Sequence, residues 1–252
     1  MESTYNNPKY IEIENLCVRY GGKHKKEVLK GLNLTVRKGQ VYGFLGPNGA
    51  GKTTAIKTMV GLIPEYTGRV LILDRPPQDL SAKQKIGFMP EIANYYWYLT
   101  AREALHMYAR IFGINKKQAT AKTEELLDLV GLKDSANVLM KTFSKGMMQK
   151  LSFAQALIND PELLILDEPM GGLDPVSRIK MRDVIKRLHK EGKTIFFSSH
   201  ELSEIEMICD EIAIIKDGAL LKSGKLHELL SQKGESIALE RYFLNIIGDK
   251  VK

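Results

Sequence analysis

Residues 44–57 read FLGPNGAGKTTAIK, with Gly46, Gly49, Gly51 and Pro47 inside six positions and Lys52, Thr53 and Thr54 directly after. Gly46, four residues, then Gly51-Lys52-Thr53 is the GxxxxGK[ST] phosphate loop. Each residue type has a physical reason. Gly49 and Gly51 let the backbone curl so that successive N–H groups face anionic oxygens. A following helix presents its N-terminus to the same oxygens. Lys52 adds a full positive charge, and the Thr53 hydroxyl is a ligand for Mg²⁺. The flanks fit this reading. VYGFLG (41–46) is a nearly continuous apolar run, as in a strand buried on both faces, and KTTAIKTMVGL (52–62) has helical character ending near Gly61. The nucleotide-holding loop predicted here comprises Gly46, Pro47, Asn48, Gly49, Ala50, Gly51, Lys52, Thr53 and Thr54.

A phosphate site that uses Mg²⁺ needs an acid at the end of a neighbouring strand. The run Leu163 to Leu166 ends in Asp167 and Glu168. Consecutive strand residues point to opposite faces. On that geometry Asp167 faces the metal and Glu168, at the strand terminus, faces a water as base or positioning residue. His200 closes another apolar strand, TIFFSSH (194–200), and its place beside the other strand ends suits a γ-phosphate sensor.

Around these motifs the chain reads as α/β. YIEIENLCVRY (10–20) and EVLKGLNLTVRKGQ (27–40) alternate as half-buried strands, and TGRVLILD (67–74), QKIGFMP (84–90) and EIAIIKDG (211–218) are further strands. Residues 92–160 carry helical spacing, with a helix stopped by Asp160-Pro161, and are predicted to be a helical insertion. The tail GESIALERYFLNIIGDKVK (234–252) is predicted to be one amphipathic helix. The domain reading is a single unit over 1–235, with 1–91 and 161–235 as core and 92–160 as helical subdomain, followed by a tail at 236–252.

Composition narrows the function classes. The 252 residues are 44% hydrophobic and 27% charged, enough for one large core. The net charge of +7 does not by itself select a partner. Cys17 and Cys209 form no CxxC pair, which argues against a disulfide framework or a zinc site. The first residues lack the basic and apolar regions of a signal peptide, and no run approaches the ~18 apolar residues of a spanning helix. A membrane role is expected to need another chain.

The order of motifs, namely P-loop, FSKGMMQKL (143–151), LLILDEP (163–169), GGLDP (171–175) and SSH (198–200), resembles the nucleotide-binding subunit of ATP-binding cassette (ABC) transporters over nearly the whole chain. The resemblance implies an α/β P-loop NTPase core. Its sheet would be mixed and mostly parallel, with an antiparallel β subdomain and an inserted helical subdomain. FSKGM stands in the place of the family's LSGGQ signature, which closes over the γ-phosphate of the opposite subunit. Ser144 and Gly146 match that motif. Phe143, Lys145 and Met147 depart from it. Ser144 is also a good N-cap, and Gly146 permits close approach of an anion. The resemblance further implies that Tyr20 stacks on adenine and that Asp174 links the two sites of a dimer. Glu91 falls where the family commonly has glutamine. A carboxylate can ligate Mg²⁺ but cannot donate a hydrogen bond when ionised, so this departure bears on hydrolysis rate. Just beyond it, Tyr95, Tyr96, Trp97 and Tyr98 read either as packing beneath the helices or as a docking groove for a partner helix.

The predicted function is an ATP-hydrolysing subunit, with ATP and Mg²⁺ as cofactors, that dimerises with itself or with a paired cassette subunit. It would power a separate transmembrane permease from the cytoplasmic face of the membrane, and no specific nucleic acid is expected. The Glu at position 91 and the brief tail point to export. Two alternatives stand beside this: an importer subunit, and a soluble cassette ATPase acting on ribosome or DNA. A single motif set, with Gly46 and Ser144 close and no sustained heptads between, favours the transporter. A small-kinase phosphotransferase leaves FSKGM and GGLDP unexplained.

Overall fold

The computed structural model describes residues 7–21, 26–232, 235–236 and 238–248. Two sheets organise the chain. Strands β1 (Lys9–Tyr20), β2 (Lys26–Arg37) and β4 (Thr67–Ile72) form an antiparallel sheet in the order β2-β1-β4. The larger sheet has the order β5-β6-β7-β3-β8-β9. It is built from β5 (Ile86–Met89), β6 (Leu163–Asp167), β7 (Thr194–Ser199), β3 (Val41–Leu45), β8 (Glu211–Lys216) and β9 (Ala219–Lys225). All its neighbouring pairs are parallel except β8–β9. This is the mixed, mostly parallel architecture with an antiparallel subdomain predicted above.

The burial pattern explains the layering. Every residue of β3, β6 and β7 is buried, as the continuous apolar runs require. Alternate side chains serve two cores. Phe44, Ile165 and Phe196 pack with the antiparallel sheet and with α1 (Lys52–Met59). Leu45, Leu166 and Phe197 face the helical side. In β1 the inward set Ile11, Ile13, Leu16 and Val18 breaks strict alternation. A register shift between Ile13 and Leu16, with Asn15 at φ +50°, absorbs the extra residue and keeps the apolar set inward.

After β4 a short helix, α2 (Leu80–Lys83), leads into β5. The chain then leaves the sheet through α3 (Ala101–Ile111), α4 (Lys116–Leu129) and α5 (Lys145–Ala156), and returns at β6 beside β5. Local chemistry starts each helix: a Thr100–Glu103 capping box for α3, Asn115 for α4 and Ser144 for α5. Helices α6 (Pro175–Lys190) and α7 (Leu202–Ile208) flank β7. Among the described residues no helix is long and apolar enough to cross a membrane.

The C-terminal stretch departs from the single predicted helix. After α8 (Leu226–Leu230), β10 (Ser231–Gln232) pairs antiparallel with β11 (Glu235–Ser236), and among the described residues of the tail only Leu239–Ile247 is helical, as α9. The two-residue ladder takes up the backbone groups that a longer helix would have used. Leu239, Tyr242 and Ile247 anchor α9, and the Lys216 ammonium donates to the Ile247 carbonyl at 2.6 Å near its end. Residues 234, 237 and 249–252 of the predicted helix lie outside the described residues.

A side-chain bond links β1 to the residue that precedes β6. The buried Tyr10 hydroxyl donates to Glu162 Oε2 at 2.9 Å, and Lys85 Nζ lies 2.8 Å from Glu162 Oε1. Burial, and then the bond to Glu162, push the Tyr10 hydroxyl up to about 12 from its ordinary 10.0. The unfolded chain therefore loses this proton first, and stability falls as pH rises from 10 towards 12. Tyr10→Phe is expected to cost about 1 kcal/mol at neutral pH. It should also reduce the alkaline loss, both read from urea unfolding at pH 7 and pH 11. An unchanged alkaline slope would contradict the assignment.

Candidate active site

The phosphate loop leaves the buried end of β3 at Gly46. A Cβ there would lie 2.4 Å from the Ile215 carbonyl oxygen, so the close approach to β8 admits only glycine. Gly51, at φ +105°, turns the chain into α1 without a side-chain cap, and the first turn of α1 carries no acidic residue. The free amides of that turn therefore offer their partial positive charge to an anion. The turn at Gly218 holds the loop from behind, its amide donating to the Ala50 carbonyl at 3.0 Å.

A cavity of about 420 Å³ opens above this loop, lined by residues 47–54 with Val28, Glu91, Glu168 and His200. Parallel register sets the arrangement. Leu45 pairs with Ser199 and Asp167 with Ser198, so the ends of β3, β7 and β6 lie side by side. Lys52 is 7% exposed. Its ammonium donates to the Gly46 carbonyl at 2.7 Å and lies 3.4 Å from Glu168 Oε1. His200 Nδ1 is 2.9 Å from Glu168 Oε2.

The two acids differ from expectation in one respect. Asp167 ends β6, but Glu168 is no longer strand. Its φ of +51° lies in the left-handed region, and the alternation argument does not apply to it. That conformation costs a non-glycine residue roughly 1–2 kcal/mol. It swings the Glu168 carboxylate towards Lys52 and His200, on the side of the phosphate loop. Asp167, 2% exposed, accepts from the Ser198 hydroxyl at 2.6 Å and lies near the Thr53 hydroxyl. Burial raises the Asp167 carboxyl above its ordinary range, against the opposing effect of those two hydroxyls.

Ser198 was not singled out from sequence, yet it serves both acids. Its hydroxyl donates to Asp167 and accepts the Glu168 amide at 3.0 Å. Two serines before a histidine at a strand end gave a faint signal, readable only once β7 is known to lie beside β6. Val28 was likewise missed as a cavity wall. Tyr20, expected to meet a base, lies at the exposed end of β1 and is not among the cavity-lining residues.

The signature stretch stands apart from this cavity. The Ser144 side chain accepts the Met147 amide at 3.2 Å and caps α5, with Lys145, Gly146 and Met147 in the first turn. None of these four lines the cavity. Asp174 caps α6 through the Ser177 amide at 2.9 Å and hydroxyl at 2.5 Å, bonds that hold its carboxyl below the usual range. Arg178 donates to the Leu173 carbonyl and pairs with Glu201, so it links the loop before α6 to the residue after His200. Of the aromatic run, Tyr96, Trp97 and Tyr98 are exposed, whereas Tyr95 packs against the helical core.

Oxygen donors at and beside the cavity suit a hard cation: Thr53 and Glu91 line it, while Asp167, next to the lining residue Glu168, is buried and outside the lining. The Thr53 hydroxyl and the Asp167 and Glu91 carboxylates are all oxygen ligands, and Mg²⁺ is held by one or two carboxylates together with substrate phosphates and water. Among the described residues no group of three or more His, Cys, Asp or Glu could form a complete cage by itself.

The ABC transporter family model matches residues 29–171, more than half of the sequence. The chain belongs to the ABC transporter family. It is an ATP-binding subunit and an ATP hydrolase of that family. It is 47% identical to an uncharacterized ABC transporter ATP-binding protein of Nostoc sp., covering 97% of this chain and 78% of the relative. It is 39% identical to the fluoroquinolones export ATP-binding protein of Mycobacterium tuberculosis, over 84% of this chain and 69% of that one. A solved ATP-binding cassette, in a dimeric post-hydrolysis state bound to ADP and Pi, superposes with a TM-score of 0.79 at 26% identity. It covers 86% of this chain and 98% of the cassette.

Ser198→Ala should leave KM for ATP within about threefold and lower kcat by about tenfold or more, because it frees two acids without touching the phosphate loop. Steady-state ATPase kinetics read the split. A rise in KM with kcat unchanged would contradict this role.

Proposed function

We propose that the chain dimerises on binding ATP and that the dimer powers a separate transmembrane permease, working in export from the cytoplasmic face of the membrane. One observation carries this reading. The cavity holds the phosphate loop, Glu168 and His200, while Ser144–Met147 lie outside its lining. A second copy can present its own Ser144–Met147 to the open side. The dimeric cassette and the export-named relative support the same reading. Residues 1–235 would act as one cassette domain, with 92–160 as its helical arm and 236–252 as a tail.

Each residue has a role within this scheme. Gly46 to Thr54 wrap the phosphates, and Lys52 neutralises their charge. Thr53, Asp167 and Glu91 would hold Mg²⁺, which would supply positive charge against the phosphate oxygens. Glu168 takes the proton of the attacking water, and His200 holds the carboxylate through its 2.9 Å contact. Asp174 and Arg178 stiffen the loop that faces the other copy, and Tyr20 stacks on the base.

Glu168→Gln keeps the shape of the side chain but cannot accept the proton. ATP affinity should persist, kcat should drop by about 10²–10⁴, and the dimer should persist with ATP in size-exclusion chromatography. Full turnover in this variant would remove Glu168 from the role.

A further inference from the structure

Gln149 stands in the second turn of α5 and is 4% exposed. Its Nε2 donates to the Glu168 carbonyl at 2.9 Å and reaches the Pro169 carbonyl at 3.4 Å. A buried amide thus leaves its own helix to hold the backbone of the catalytic loop. That backbone needs holding, because Glu168 lies at φ +51°, a region that non-glycine residues seldom keep unaided. Its anchors come from separate elements. Ser198 of β7 accepts its amide, Gln149 and the Gly171 amide donate to its carbonyl, and Lys52 and His200 flank its carboxylate.

The same loop packs against the start of α5 at a separation set by glycines. A Cβ at Gly146 would lie 3.3 Å from the Gly172 oxygen, and one at Gly172 would lie 2.8 Å from Lys145 Cδ and Cε. The first turn of α5 and residues 168–172 therefore behave as one packed body. Within it, Gln149 supplies the side-chain hydrogen bond from α5 to the Glu168 carbonyl.

We propose that Gln149 is a positioning residue for Glu168, which transmits the placement of α5 to the carboxylate that receives the water's proton. When Ser144–Met147 engage the nucleotide of a second copy, the seat of α5 in the same subunit fixes the Glu168 carbonyl and, through it, the direction of the side chain. Engagement at one site then readies the other. This rests on Glu168 as the base.

The test uses the full chain with three variants: Gln149→Leu, which keeps the volume and removes the donor; Gln149→Glu, which sets an acceptor against two carbonyls; and Glu168→Gln in parallel. ATPase kinetics, equilibrium binding of a fluorescent ATP analogue and thermal melting are measured for each. Both Gln149 variants should lower kcat per folded protein by about tenfold or more with KM and analogue affinity within about twofold; both should also melt lower, Gln149→Glu the more, because it buries a carboxylate against two carbonyl oxygens. If both retain kcat within twofold while Glu168→Gln loses turnover, the positioning role is wrong and the base assignment stands. If kcat and affinity fall together in proportion to lost folded protein, Gln149 is merely structural. If Glu168→Gln retains turnover, the base assignment fails and the positioning role falls with it.

Discussion

Three buried strands in parallel register hold this molecule's chemistry in place. β3, β7 and β6 lie side by side, with Leu45 opposite Ser199 and Ser198 opposite Asp167. Because all three run the same way, the phosphate loop, His200 and the acid pair emerge at one edge. Parallel strands need long crossovers, and each crossover is buried against one face of the sheet. The apolar continuity of these strands is thus the price of bringing distant residues to a single site. Ligands sit outside the carboxyl ends of strands in open α/β sheets for the same reason.

Within that frame each acid of the site is held by neighbours from other elements. Glu168 sits in a left-handed conformation with Ser198, Gln149, Lys52 and His200 around it. Asp167 is buried and held by the Ser198 hydroxyl. On the proposed roles, removing a neighbour would change direction and rate before nucleotide affinity. Arg178 and the cap at Asp174 extend the restraint from the catalytic loop to α6 and α7, the elements on either side of β7.

Much of this was legible in the sequence because the signals were local. Buried strands appear as apolar runs, the phosphate loop as glycine spacing, and the start of α5 as Ser144. What escaped depended on sheet order. Ser198 matters because β7 lies beside β6, and Gln149 because α5 packs over the loop after β6. Neither adjacency is written in either segment. The alternation rule misplaced Glu168 because the strand ends one residue earlier, and the single helix expected at the C-terminus gave way to a short β ladder before α9. Local periodicity cannot report where tertiary hydrogen bonds replace local ones.

The central claim is that each copy holds half of a site, with the phosphate loop on one and the Ser144 loop on the other. A mixing experiment tests it directly. Lys52→Ala disables the loop and Ser144→Arg disables the signature, and each variant alone should hydrolyse ATP at a small fraction of the normal rate. Mixed in equal amounts, they should regain activity, because a mixed pair contains one intact loop facing one intact Ser144. No recovery from two folded variants, or full turnover by Ser144→Arg alone, would contradict the claim.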